Sequence, residues 1–144
     1  MDRFMAEAIK EAKKGLAEGG IPIGAVLAKG NRLVSKGHNM RIQENNPIMH
    51  AEMKCIENAG RIKSFKGTVL YSTLMPCFMC SGAVVEFCIP KVVVGESSNF
   101  SGTRQFLESH NVEVVDLKLE ECKKMLASYI KKNKAVWRED IGEL

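Results

Sequence analysis

Two short stretches carry residue types and spacings that can do chemistry together, His50-Ala51-Glu52 and Pro76-Cys77-Phe78-Met79-Cys80. A neutral imidazole from His50 and thiolates from Cys77 and Cys80 supply three zinc ligands. The fourth tetrahedral position is left to water, as in a catalytic rather than a structural zinc site. Both cysteines fall at an expected helix start, where unpaired N–H groups and the macrodipole favour negative charge on sulfur. Zinc held this way lowers the pKa of its water and yields a nucleophile near neutral pH. Glu52, two residues from His50, can reach that water without binding the metal and carry its proton. A purely structural site would need a fourth protein ligand, and neither His38 nor His110 has ligand spacing.

The elements that must position these residues follow from the apolar pattern. Phe4, Met5, Ala8, Ile9, Ala12 and Leu16 recur at helical spacing until Gly19-Gly20 stops them. Residues 23–28 and 32–36 read as two strands joined across Lys29-Gly30-Asn31, a hairpin turn, with 37–41 leaving it as a loop. Residues 50–59 read as a helix stopped by Gly60, which puts His50 and Glu52 in its first turn. A buried strand over 68–73 runs into Pro76, a good first helical residue for the segment carrying Cys77 and Cys80. Strand 91–95, loop 97–102, helix 103–109, strand 112–117 and helix 119–132 complete the series, followed by a tail of mixed apolar and charged residues. Helices alternating with strands after an initial hairpin predict an α/β fold, a three-layer α-β-α sandwich around a mixed five-stranded sheet. Helix starts in such sheets lie near the carboxyl ends of strands, where ligands bind.

The chain of 144 residues fits one domain, 1–144, with no linker or repeat. Its 21 basic and 17 acidic side chains fall short of a nucleic-acid-binding composition, so nucleic acid is not the expected partner. No apolar run is long enough for a bilayer and no secretory leader is visible, which excludes membrane and secreted classes at this level. Five cysteines, two of them in a C-x-x-C, suit a reducing cytoplasm and a metal site better than disulfides. Cys55, Cys88 and Cys122 read as small buried residues.

The combination His-x-Glu and Pro-Cys-x-x-Cys is the signature of zinc deaminases, and on it the chain resembles the cytidine deaminase superfamily. The resemblance extends through Gly19-Gly20-Ile21-Pro22-Ile23-Gly24, Gly37-His38-Asn39-Met40-Arg41, Leu70-Tyr71-Ser72-Thr73-Leu74, Val94-Gly95-Glu96, Asn99-Phe100 and Trp137-Arg138-Glu139-Asp140-Ile141-Gly142-Glu143. Within the superfamily it is similar to the fungal-type cytosine deaminases, with Met75 and Phe78 where that pattern has serine and aspartate, Ala51 in place of glycine, and Arg138 where an aromatic is usual.

That resemblance implies hydrolytic deamination of free cytosine to uracil and ammonia, with one zinc per chain on His50, Cys77 and Cys80 and with Glu52 as proton shuttle. It implies that Asn39 and the Ala51 N–H bind the base O2, that Glu52 contacts N3 and that Asp140 holds N1. The Met75 carbonyl would accept from the exocyclic amine, and the Cys77 N–H would bind the oxygen at the reacting carbon. Phe100 and Trp137 would wall the pocket over Ile23. A nucleobase would be the small-molecule partner, and a second copy of the chain would make a homodimer, for which Val84, Val85 and Phe87 look exposed. Isocytosine, 5-methylcytosine or guanine is an alternative base, and a tRNA adenosine deaminase shares the same zinc motif. Against the latter, Lys118, Lys123, Lys124, Lys131, Lys132 and Lys134 are interleaved with Glu120 and Glu121 and read as a solvated helix face.

Overall fold

A computed structural model describes residues 2–143. In chain order the elements are α1 (Arg3–Ala17), β1 (Gly24–Lys29), β2 (Arg32–His38), α2 (Ala51–Ala59), β3 (Thr68–Ser72), α3 (Phe78–Glu86), β4 (Lys91–Val94), α4 (Arg104–Ser109), β5 (Glu113–Asp116), α5 (Glu120–Lys132) and α6 (Lys134–Asp140). The strands form one sheet in the order β2-β1-β3-β4-β5. β1 pairs antiparallel with β2 and with β3, whereas β3, β4 and β5 run parallel. This is the mixed five-stranded sheet that the alternation of patterns predicts.

Alternation along β1 divides the core. Val26 and Ala28 face α1 together with Tyr71 and Val93, packing on Phe4, Met5, Ala8 and Ile9. Ala25 and Leu27 face the other way with Leu70, Val92 and Val94, against Cys55 of α2 and Val84 of α3. Leu126, Tyr129 and Trp137 of the last two helices join this second cluster. Successive strand residues point to opposite faces, so helices on both sides are needed to bury both sets. α1 lies so close to β1 that a Cβ on Gly24 would sit 2.0 Å from the Ala8 carbonyl oxygen.

Four sequence expectations are corrected. β2 continues through Gly37 and His38, which pair with Ala25 and Gly24, so the loop begins only at Asn39. α3 begins at Phe78 with Cys77 as its N-cap, because the Cys77 sulfur accepts from the Cys80 N–H and its backbone is extended. Pro76 therefore precedes the helix. The tail, to which the sequence assigns no element, forms α6 after a break at Asn133. Cys88 is exposed at the end of α3, at φ 59°, while Cys55 and Cys122 are buried as expected. Of the residues read as exposed, Val84 is fully buried, and Phe87 is the one that reaches solvent well. Among the described residues, no helix is long and apolar enough to cross a membrane.

Candidate active site

The zinc motif converges because two helices start at one end of the sheet. His50 is the N-cap of α2 and Cys77 the N-cap of α3, each in extended backbone, while Cys80 lies one turn into α3. The ligand atoms of His50, Cys77 and Cys80 all lie within 4.8 Å of one another. Cys77 Sγ is 3.4 Å from His50 Nδ1 and 3.6 Å from Cys80 Sγ. A tetrahedron with Zn–S arms of about 2.3 Å and Zn–N arms of about 2.0 Å has S···S edges of about 3.8 Å and S···N edges of about 3.5 Å. The donor set thus fits zinc in number, chemistry and spacing.

The other ring nitrogen of His50 has a partner of its own. Nε2 lies 3.2 Å from Asp140 Oδ1, a carboxylate delivered by α6. Such a contact fixes which nitrogen faces a metal. The same oxygen accepts from Asn39 Nδ2 at 3.4 Å. Asn39 is in turn held by its own N–H donating to the Ile23 carbonyl and its Oδ1 accepting from the Arg41 N–H.

The protein groups shift one another's protons strongly. Glu52 is 4% exposed, and burial together with the Cys77 charge, partly offset by His50, pushes its pKa up to about 7. Cys77 is pushed down to about 4, chiefly by its hydrogen bond with Cys80, with burial opposing and His50 assisting. The same bond and burial raise Cys80, so one sulfur of the pair holds the charge. For His50, burial opposes ionisation, but Asp140 and Cys77 outweigh it and raise the imidazole to about 10.

These groups surround a narrow pocket with a cavity volume of about 20 Å³. It is lined by Ile23, Asn39, His50, Glu52, Met75, Cys77, Phe100, Trp137 and Asp140, and also by Leu74 and Ile141. Ala51 and Cys80 are fully buried beside it and are not part of the lining. Leu74 and Ile141 stand in the resembling stretches without an expected role, although each adjoins a residue that has one. Phe78 is 64% exposed, outside the lining, and meets Phe106 edge-on, so this departure from the fungal pattern faces away from the pocket. Arg138 is exposed as well, with Nε donating to the Glu143 carbonyl. His38 takes no part in the metal cluster: it is buried between Glu11 and Glu18 of the first helix region, at 2.9 and 2.8 Å.

A family model described as the cytidine and deoxycytidylate deaminase zinc-binding region matches residues 1–96. The chain belongs to this zinc-binding deaminase family. As such a deaminase it is a hydrolase that uses zinc, with His50, Cys77 and Cys80 positioned for the metal. The deaminase is 44% identical to a cytosine deaminase of Candida albicans over 139 residues, 94% of this chain and 93% of that protein. It is 40% identical over 155 residues to a tRNA-specific adenosine deaminase of Bacillus subtilis, covering 97% of this chain and 96% of the other. A solved structure from a study of A-to-I editing by tRNA:A34 deaminases superposes with a TM-score of 0.68 at 29% identity, over 79% of this chain and 96% of that one.

Proposed function

We propose that this deaminase acts on a free nucleobase, with cytosine as its substrate, and releases uracil and ammonia. The observation that carries the reading is where α6 sits. Trp137 and Asp140 of α6, with Ile141 just after it, line the pocket, and Asp140 stands against both Asn39 and His50 inside it. A base in a polynucleotide must enter attached to its sugar and flanking phosphates, which calls for an open cationic channel. A buried carboxylate on the pocket wall opposes that and suits a ring N–H donor.

Zinc on His50, Cys77 and Cys80 would supply the Lewis acidity that makes water a nucleophile near neutral pH. The remaining work falls to the chain. Glu52, with its pKa raised to about 7, carries one proton of the attacking water to ring N3 and then the second, from the new hydroxyl, to the leaving amine. A C–O bond forms at the amine-bearing carbon and the C–N bond breaks, so water and cytosine give uracil and ammonia. Asn39 and the Ala51 N–H hold the base O2, Asp140 accepts from N1, the Met75 carbonyl accepts from the amine, and the Cys77 N–H binds the new oxygen. Ile23, Phe100 and Trp137 exclude bulk water. A homodimer in the cytoplasm goes with this reading, and sedimentation showing only the 16.0 kDa chain would remove the dimer.

The similarity to tRNA-specific adenosine deaminases, at 40% identity over nearly the whole chain, supports a second reading in which the substrate is an adenosine in tRNA. Ammonia release from the zinc-loaded protein separates them, measured with cytosine, 5-methylcytosine, isocytosine, guanine, cytidine and a tRNA anticodon stem. Turnover of cytosine well above the rest is expected. Preference for the anticodon stem or for cytidine would overturn the free-base reading.

A further inference from the structure

The loop between β4 and α4 brings Phe100 into the pocket, and it is fastened at both ends to the strand-to-helix segment that carries Met75 and Cys77. At its start the Glu96 carbonyl accepts from the Met75 N–H at 3.0 Å. At its end the buried Thr103 hydroxyl donates to the Pro76 carbonyl at 2.7 Å. Between these points the Glu96 carboxylate, 2% exposed, turns the loop around itself. Its Oε2 accepts from the Ser98 N–H at 2.7 Å, the Ser98 hydroxyl at 3.0 Å and the Asn99 N–H at 3.1 Å. Oε1 accepts from Asn99 Nδ2 at 2.9 Å.

All four carboxylate bonds thus come from the two residues immediately before Phe100. A carboxylate with its oxygens filled by donors is a strong, directional anchor. Glu96 belongs to neither the zinc cluster nor the pocket lining. It nevertheless touches, through its main chain and its side chain, the two segments that present Met75 and Phe100.

We propose that Glu96 is a positioning residue for substrate: it sets Phe100 through the 97–99 turn and Met75 through its carbonyl, and so fixes the width of the pocket. The proposal rests on Phe100 and Met75 facing the base, as in the reading above. Glu96→Gln leaves size almost unchanged but puts an amide donor among N–H donors, so the turn loosens.

Two measurements on the zinc-loaded full chain test this. Trp137 is the sole tryptophan, buried at 6% exposure on the same pocket, so acrylamide quenching of its fluorescence reports the wall whatever the substrate. Quenching is expected to rise in Glu96→Gln with zinc content and helical circular dichroism unchanged. In a double-mutant cycle on cytosine, Glu96→Gln is expected to raise KM by about tenfold, equivalent to about 1.4 kcal/mol, with a smaller change in kcat. The same substitution in a Phe100→Ala background should add little. A lowered melting temperature with unchanged quenching and KM would make Glu96 a plain structural staple and overturn the proposal. An equal loss in both backgrounds would overturn the coupling to Phe100. If Phe100→Ala alone leaves KM unaltered, the placement of Phe100 against the base fails, and with it this inference. If cytosine is not turned over at all, the free-base reading fails, while quenching still decides whether Glu96 holds the wall. Should Glu96→Gln not fold, Asn99→Ala removes one side-chain donor while keeping the carboxylate, and the same rise in quenching and KM, reduced in size, is expected; no change in either would overturn the proposal.

Discussion

Glu52 has a proton affinity that burial and the neighbouring Cys77 charge move into the neutral range, to about 7. A group that both takes and gives a proton in one turnover needs that, because a strong acid would hold its proton too weakly to deliver it. Glu52→Gln keeps the shape and removes the exchange. Deamination should fall by at least roughly 10²–10⁴-fold, while zinc content by metal analysis stays at that of the native chain. Unchanged turnover would remove Glu52 from the proton path. Asp140 makes a different prediction, because it meets His50 Nε2 as well as Asn39. Asp140→Asn should weaken zinc binding by about 10–100-fold, read by competition with a chromogenic chelator, as well as raising KM. The sequence assigns Asp140 to the base by resemblance and gives no sign that it meets His50. Its contact with His50 spans 90 residues of chain and depends on α6 folding back, which no local spacing encodes.

At the scale of elements, the parts legible in the sequence are those whose burial is one-sided. α1 shows its face because Phe4, Met5, Ala8, Ile9 and Ala12 are buried while Lys10, Lys13 and Lys14 are exposed. The strands show as apolar runs, and Gly30, at φ 61°, marks the hairpin turn between β1 and β2. α6 was not legible: its seven residues, with charge on most sides and Asn133 just before, are too few for a periodic pattern, and packing of Trp137 into the core is what holds it. The start of α3 was missed by two residues because Cys77 caps it with sulfur, a use that the preference for proline at a first helical position does not reveal. The contact between α1 and β1 yields a prediction at this scale. With a Cβ at residue 24 sitting 2.0 Å from the Ala8 carbonyl oxygen, helix and strand must move apart. Gly24→Ala should cost about 1–3 kcal/mol in urea unfolding, and a stability equal to the native chain would show that α1 shifts freely on the sheet.

For the molecule as a whole, the metal is a tie between two helices whose own contacts are few. His50 at the start of α2 and Cys77 and Cys80 at the start of α3 are 27 and 30 residues apart in sequence, and zinc held by them would join the two starts over the end of the sheet. A ligand that binds only the folded chain stabilises it by mass action, by about 4.1 kcal/mol at a free concentration a thousandfold above Kd. For a chain of this size each kcal/mol moves Tm by roughly 2–4 °C, so chelation at neutral pH should lower Tm by about 10 °C. The dependence on pH has a definite sign. Zinc requires neutral imidazole and two thiolates, so binding releases protons and acid competes with the metal. Its stabilisation is present at neutral pH and is lost as pH falls. The melting temperatures of the zinc-loaded and chelated forms should therefore converge on acidification, and scanning calorimetry across that range checks it. A gap that stays constant would mean that the stabilising metal is not held by His50, Cys77 and Cys80.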